Sequence, residues 1–111
     1  MSRITTHVLD TARGRPAVGV PITLQVRVGD EWRTIGRGKT DADGRAREIC
    51  RGDIEAGSYR LIFDTAAYFE ATDVEGFFPV AQIEFDVREP AQHHHVPLLL
   101  SPFGYSTYRG S

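Results

Sequence analysis

The chain has 111 residues, of which 41% are hydrophobic and 25% are charged, a composition typical of one globular domain spanning residues 1–111. The net charge is -2 and the basic residues are scattered, which argues against a nucleic-acid partner. No run of about 18 apolar residues occurs, so no membrane-spanning helix is predicted. Because Cys50 is the single cysteine and residues 1–10 carry no apolar leader, we expect a cytoplasmic protein without disulfides.

Alternating apolar and polar residues predict strands along most of the chain. The alternation is clearest where Ile22, Leu24 and Val26 share one face of an extended segment. In chain order, strands are expected at residues 4–9, 22–28, 32–40, 59–64, 81–87, 93–100 and 105–108. Turn-forming clusters separate them at residues 14–16, 29–30, 41–44 and 101–102. This succession of short antiparallel strands favours an all-β sandwich of two sheets.

One segment departs from the strand pattern. Residues 65–73 contain Ala66, Ala67 and Ala71, with Asp64 or Thr65 placed to cap the start and Gly76 beyond the end. The sequence therefore predicts one short helix.

The segment Asp41-Ala42-Asp43-Gly44 resembles the start of a calcium-binding loop. Such a loop requires a glutamate at its twelfth position, where this chain has Gly52. A hairpin turn is therefore favoured. Arg45 follows this turn at the start of a strand, where its guanidinium is either solvated or projected from a sheet face.

Three of the four histidines lie in the run 93–95. On an extended strand His93 and His95 point to one face and His94 points to the other. Together with His7 they would supply the three ligands of a catalytic zinc site. From the residues alone, a solvated polar strand, a metal site and an acid-base site all remain open.

The C-terminal tail, residues 101–111, keeps an aromatic character that chain ends usually lose. Composition alone is consistent with an edge strand closed by Tyr105 and Tyr108. The single cysteine, Cys50, is expected to be an inert core residue rather than a nucleophile.

Taken together, these motifs closely resemble the 5-hydroxyisourate hydrolase family, also called the transthyretin-related proteins, over essentially the whole chain. The resemblance is carried by THVLDT at 6–11, GRPA at 14–17, TDADGR at 40–45, HHHVPLLLSP at 93–102 and YRGS at 108–111. The last of these is the tetrapeptide that separates the hydrolases from the hormone carrier transthyretin. One departure is visible, since the family usually has an aromatic residue where this chain has His94.

The resemblance implies a transthyretin-like fold and a homotetramer with active sites in the grooves between two dimers, without a metal or other cofactor. It implies that His7, Arg45, His95 and Ser111 are catalytic. It also implies that His7, Arg45 and the tail residues Tyr108, Arg109, Gly110 and Ser111 bind the substrate, 5-hydroxyisourate. A histidine would activate water and Arg45 would stabilise the oxyanion. Two alternatives remain: a transthyretin-like carrier without catalysis, and a zinc hydrolase using His7, His93 and His95.

Overall fold

A computed structural model describes residues 3–111, in which two β-sheets pack face to face and a short helix closes one end. The strands are β1 (Ile4–Asp10), β2 (Arg15–Pro16), β3 (Pro21–Val28), β4 (Glu31–Lys39), β5 (Arg45–Ala46), β6 (Gly57–Phe63), β7 (Ala81–Val87), β8 (His94–Ser101) and β9 (Gly104–Thr107). The helix is α1 (Thr65–Ala71). The prediction of an all-β sandwich with one short helix is confirmed. No helix within residues 3–111 is long and apolar enough to cross a membrane.

The first sheet carries β1 at its centre. On one side of β1 lies β8, followed by the edge strand β9, and on the other side lie the two short strands β2 and β5. The second sheet has the order β4-β3-β6-β7. Both sheets therefore end in a free edge strand, β7 in one and β9 in the other.

The pairing of β1 with β8 corrects the expectation of purely antiparallel sheets. These strands are parallel, with Thr5 opposite His95 and His7 opposite Pro97. Parallel neighbours need a long crossover connection, and here the connection contains the whole of the second sheet. Alternation within a strand predicts which side chains share a face, but it does not predict whether two neighbouring strands run parallel or antiparallel.

The core lies between the sheets and is filled mainly by apolar residues of β1, β3, β6, β7 and β8, together with residues of α1 and of the connecting segments. Leu24, Leu61 and Leu98 are completely buried there. Cys50 is buried as well, in agreement with the prediction of an inert position. Val28 lies on the apolar face of β3 by alternation, but it is 47% exposed. The reason is its position at the end of the strand, beyond the core.

The helix begins as predicted and ends earlier than predicted. The Asp64 carboxylate accepts a hydrogen bond from the Ala67 N–H at 3.0 Å, which caps the first turn. Helical structure ends at Ala71, with Thr72 as the C-cap, rather than at residue 73. Asp73 has a φ of 56°, a left-handed conformation that cannot continue a right-handed helix.

Candidate active site

The candidate site is an open pocket on the outer face of the first sheet, on the side away from the core. Its volume is about 490 Å³. Its walls are formed by Thr5, Thr6, His7, Arg45, Arg47, His93, His95, Tyr108 and Ser111. We call it the histidine pocket. Three imidazoles and two guanidinium groups give it a polar lining with positive charge.

His7 and Arg45 are brought together by the pairing of β1 with β5. The two residues are direct register partners. The turn before Arg45 fixes this register, because one Asp41 carboxylate oxygen accepts hydrogen bonds from the N–H groups of Asp43 at 2.9 Å and Arg45 at 3.0 Å. The Arg45 N–H is the main reason that the pKa of Asp41 lies below its usual range. The prediction of a turn at this segment is confirmed.

Gly44 allows this turn to lie close against β1. Its φ is 75°, a left-handed conformation that favours glycine. A Cβ at this position would lie 2.6 Å from the carbonyl oxygen of Val8. The Gly44 carbonyl in turn accepts a hydrogen bond from the Val8 N–H at 2.7 Å. A glycine is therefore required immediately before the arginine.

His93 and His95 flank the hydroxyl of Thr5, which lies opposite His95 in the β1–β8 pair. Thr5 Oγ1 lies 2.8 Å from His93 Nε2 and 2.8 Å from His95 Nδ1. The two ring centroids are 6.3 Å apart. His93 is exposed, His95 is half-buried and Thr5 is buried. Since Nδ1 of His95 is occupied by Thr5, Nε2 is the ring nitrogen left for a water or a substrate.

The pKa of His95 is lowered from its ordinary value of 6.5. Burial is the largest cause, followed by the positive charge of Arg45 and by the neighbouring His93 and His7. The imidazole is therefore neutral near pH ~7, the form that accepts a proton.

Beyond β9 the tail continues antiparallel to β8 as far as an isolated bridge between Gly110 and His95, and it reaches the histidine pocket there. The Gly110 N–H donates a hydrogen bond of 2.8 Å to the His95 carbonyl. A Cβ on Gly110 would lie 2.5 Å from Cδ2 of His95, so only glycine permits this approach. Tyr108 and Ser111 line the pocket. Arg109 does not, since its guanidinium donates to the side-chain oxygen of Gln92 at 3.2 Å and lies against a second pocket.

The second pocket, of about 230 Å³, lies between the free edges of the two sheets, and His94 forms part of its wall. His94 is only 5% exposed and faces away from the histidine pocket, as strand alternation predicts. Its Nδ1 is buried and has no hydrogen-bond partner among residues 3–111. The pKa of His94 is lowered, first by burial and then by Arg109 and His93, while the nearby Gln92 carbonyl acts in the opposite direction.

The structure thus brings together five of the residues expected in the site, His7, Arg45, His95, Tyr108 and Ser111. Gly110 packs against His95 beside the pocket, and Arg109 lies outside it. Within residues 3–111 no three His, Cys, Asp or Glu side chains are arranged to hold a metal ion.

The sequence prediction did not include Thr5 and Arg47. The signal for Thr5 was its position two residues before His7, which places both side chains on the same face of β1. Arg47 is likewise two residues away from a predicted site residue, Arg45. Its guanidinium lies 3.1 Å from the Asp41 carboxylate.

This arrangement can be compared with known proteins. Residues 4–110 match the model of the HIUase/Transthyretin family. The chain belongs to the HIUase/Transthyretin family. A 5-hydroxyisourate hydrolase of Caulobacter vibrioides is 46% identical, with all of both chains covered.

Solved structures from both branches of the HIUase/Transthyretin family share the fold. The Klebsiella pneumoniae 5-hydroxyisourate hydrolase is 39% identical over 97% of this chain and 92% of that chain, with a TM-score of 0.85. Sea bream transthyretin in complex with thyroxine is 34% identical over 98% of this chain and 95% of that chain, with a TM-score of 0.92. Since the thyroxine-bound transthyretin matches the fold at least as well as the hydrolase does, the fold alone does not distinguish between their functions.

Proposed function

We propose that this chain hydrolyses 5-hydroxyisourate to 2-oxo-4-hydroxy-4-carboxy-5-ureidoimidazoline in urate degradation. The observation that carries the proposal is the histidine pocket, where two imidazoles and a guanidinium lie on one sheet face beside the YRGS tail. The 46% identity to the Caulobacter vibrioides hydrolase over the full chain supports the same reaction.

In the proposed reaction, water adds to the ring carbonyl of an amide-type bond and the ring C–N bond breaks. His7 and His95 assist by taking the proton from water, since a neutral imidazole is a base of suitable pKa near pH ~7. The leaving ring nitrogen takes up a proton as the ring opens. Arg45 faces this pair and donates parallel N–H groups to the substrate oxygens and to the oxyanion that develops.

Ser111 and Tyr108 complete the proposed substrate site. Ser111 brings a hydroxyl to the pocket, and Tyr108 forms part of its wall. Gly110 acts through its close contact with His95. To contact the substrate as predicted, the Arg109 guanidinium would have to give up its hydrogen bond to Gln92. We therefore assign Arg109 no contact with the substrate from the geometry of the structure.

A carrier that binds without chemistry is the alternative function. The similarity to sea bream transthyretin favours the carrier fold. However, a pocket lined by three histidines and two arginines suits a polar, oxygen-rich ligand better than an apolar one. We therefore rank the hydrolase first.

The assembly we propose is a homotetramer whose sites form between copies of the chain. The pocket lies open on a sheet face, and the exposed Phe103 and Tyr108 leave apolar surface uncovered. The single domain of residues 1–111 and the cytoplasmic location remain predictions.

The direct test is to generate 5-hydroxyisourate by oxidising urate, add the protein and follow the decay of its absorbance. We expect acceleration over the spontaneous decay, unchanged by a metal chelator. Binding without acceleration would favour the carrier, and activity lost in chelator would favour the metal enzyme.

A further inference from the structure

We infer that Thr5 and His93 are positioning residues that hold His95 in the tautomer protonated at Nδ1, so that Nε2 is the base. The inference rests on the proposed hydrolase function and goes beyond it by choosing the basic atom. Its observation is the hydroxyl of Thr5, which lies 2.8 Å from a ring nitrogen of each histidine.

Proton counting limits this cluster to two arrangements. A threonine hydroxyl has one proton to donate and lone pairs to accept, while each neutral imidazole has one N–H and one bare nitrogen. Thr5 therefore donates to at most one of the two histidines, and a ring nitrogen that receives no proton from Thr5 must donate to it, which leaves two arrangements of His95. If Thr5 donates to His95 Nδ1, then Nε2 carries the proton and cannot act as a base. If Thr5 donates to His93 Nε2, then His95 Nδ1 carries the proton and Nε2 is bare.

The charges around the pocket favour the second arrangement. Arg45 and Arg47 line the same pocket as His95, and the charge of Arg45 is among the causes that lower the pKa of His95. A bare Nε2 presents a lone pair to this positive field, whereas an Nε2–H would present a partial positive charge. The remaining proton of His95 is then directed at the hydroxyl of Thr5.

The surroundings of the three residues also fit a positioning role. Thr5 is buried in β1, so its hydroxyl is held in place, while His93 is exposed and can adopt the tautomer that accepts from Thr5. The backbone of Gly110 lies close to the ring edge at Cδ2, where an added Cβ would come within 2.5 Å of the ring. When Nε2 takes a proton from water, the bond from His95 Nδ1–H to Thr5 becomes charge-assisted and stabilises the imidazolium.

The primary test is the nitrogen chemical shifts of the histidine rings, which distinguish a protonated from a bare ring nitrogen. In the wild-type protein at neutral pH, we expect His95 to show a protonated Nδ1 and a bare Nε2. A protonated Nε2 on neutral His95 would overturn the inference. This measurement needs no substrate, so it decides the tautomer even if the chain fails to hydrolyse 5-hydroxyisourate, which would refute the proposed function instead.

The kinetic test uses Thr5→Val, which keeps the shape of the side chain and removes the hydroxyl. We expect kcat to fall by roughly 10- to 100-fold with KM little changed, as for loss of a group that orients a catalytic one. The acid limb of the kcat/KM profile should move to lower pH, because the imidazolium loses its acceptor. A purely structural role would leave that limb in place.

Two further variants separate positioning from folding. Thr5→Ser should restore both the rate and the pH profile, since it returns the hydroxyl. His93→Ala, at an exposed position, should retain the fold but lose the fixed tautomer and show a similar fall in kcat. The matched control is Thr11→Val, which removes the Thr11 hydroxyl bond of 3.1 Å to the Leu100 carbonyl and should leave kcat unchanged. Wild-type kcat in both Thr5→Val and His93→Ala would overturn the inference.

Discussion

At the scale of single residues, His94 and His95 show how one step along a strand changes the environment of an imidazole. His95 opens on the histidine pocket beside Arg45, whereas His94 is enclosed between the sheets. Substituting His95 with Asn should leave the fold intact and slow hydrolysis by roughly 10² to 10⁴, the usual contribution of a general base. Steady-state kinetics with circular dichroism as the folding check would measure this. Wild-type turnover in this variant would remove His95 from the chemistry.

The control for that substitution, His94→Phe, carries a prediction about stability. The folded state disfavours a charged ring here, because burial lowers the pKa of His94 below 6.5. Below about pH 6.5 the unfolded chain therefore binds more protons, and the free energy of unfolding falls as the pH falls. In His94→Phe the loss of unfolding free energy at low pH should be smaller. The substitution also removes a buried nitrogen without a partner, so the free energy of unfolding at neutral pH should rise by about 1 kcal/mol.

Urea denaturation of both proteins across pH ~5 to ~7 would test this prediction. Because the pKa of His95 is also lowered, the free energy of unfolding of the variant should still depend on pH, but less steeply. If the free energy of unfolding changed with pH equally in the two proteins, the pH dependence could not be assigned to His94. Hydrolysis should be little affected in His94→Phe, because the ring lies on the opposite face of β8 from the pocket.

Arg45 is the residue for which a similar charge is not a sufficient replacement. Lysine supplies a point charge on a flexible stem, while the guanidinium supplies two parallel donors in one plane. For Arg45→Lys we expect kcat/KM to fall by about 10² or more, as for removal of an oxyanion donor. Kinetics near wild type would reduce Arg45 to a surface turn residue. Arg47→Lys, in the same pocket, provides a comparison of the two guanidinium groups.

Several of these residues could be identified from the sequence, and others could not. Strand alternation placed His93 and His95 on one face and His94 on the other, since a period of two is a local property. The hydrogen bond from Thr5 to His95 joins residues that are 90 positions apart, so it depends on the parallel pairing of β1 and β8. No local pattern reports that pairing. The contact of Arg109 with the substrate, which the family resemblance implies, stays a prediction, and in the structure its guanidinium donates to Gln92.

At the scale of elements, the tail is held to the sheet by few contacts. After β9 its main attachments are the Gly110 N–H bond to His95 and the Arg109 bond to Gln92. The sequence predicted the edge strand within one residue at each end. Its continuation beside His95 could be predicted only from the family resemblance, because composition alone indicated no more than an edge strand closed by Tyr105 and Tyr108.

Deleting residues 109–111 should therefore abolish most activity while changing stability little. The deletion removes Ser111 from the pocket and the glycine that packs on His95. Because exposed terminal residues bury little of the core, we expect a change in unfolding free energy of less than about 0.5 kcal/mol. Turnover and thermal midpoint would be measured side by side for native, truncated and C-terminally tagged chains, with an N-terminal tag as the control. Native turnover in the truncated chain would show that the tail takes no part in the site.

At the scale of the whole molecule, exposed aromatic side chains are the basis of our prediction that the chain assembles. Phe77 and Phe103 are 69% and 68% exposed, and Phe77 stacks edge-to-face on Phe78. Surfaces of this kind usually mark sites of association. The histidine pocket also lies on the outer face of a sheet, where one copy offers no deep cleft to exclude water.

We therefore expect a homotetramer whose activity depends on assembly. Sedimentation at working concentration should give four times the mass of the chain. Specific activity should fall on dilution into the range where the assembly dissociates, and it should return on reconcentration, because a reversible loss separates dissociation from denaturation. Closed symmetric contacts do not extend into open-ended assemblies. We therefore do not expect a stable larger aggregate at neutral pH whose activity is independent of concentration. A monomer with full activity would contradict the prediction and would require the pocket of one chain to bind and hydrolyse the substrate alone.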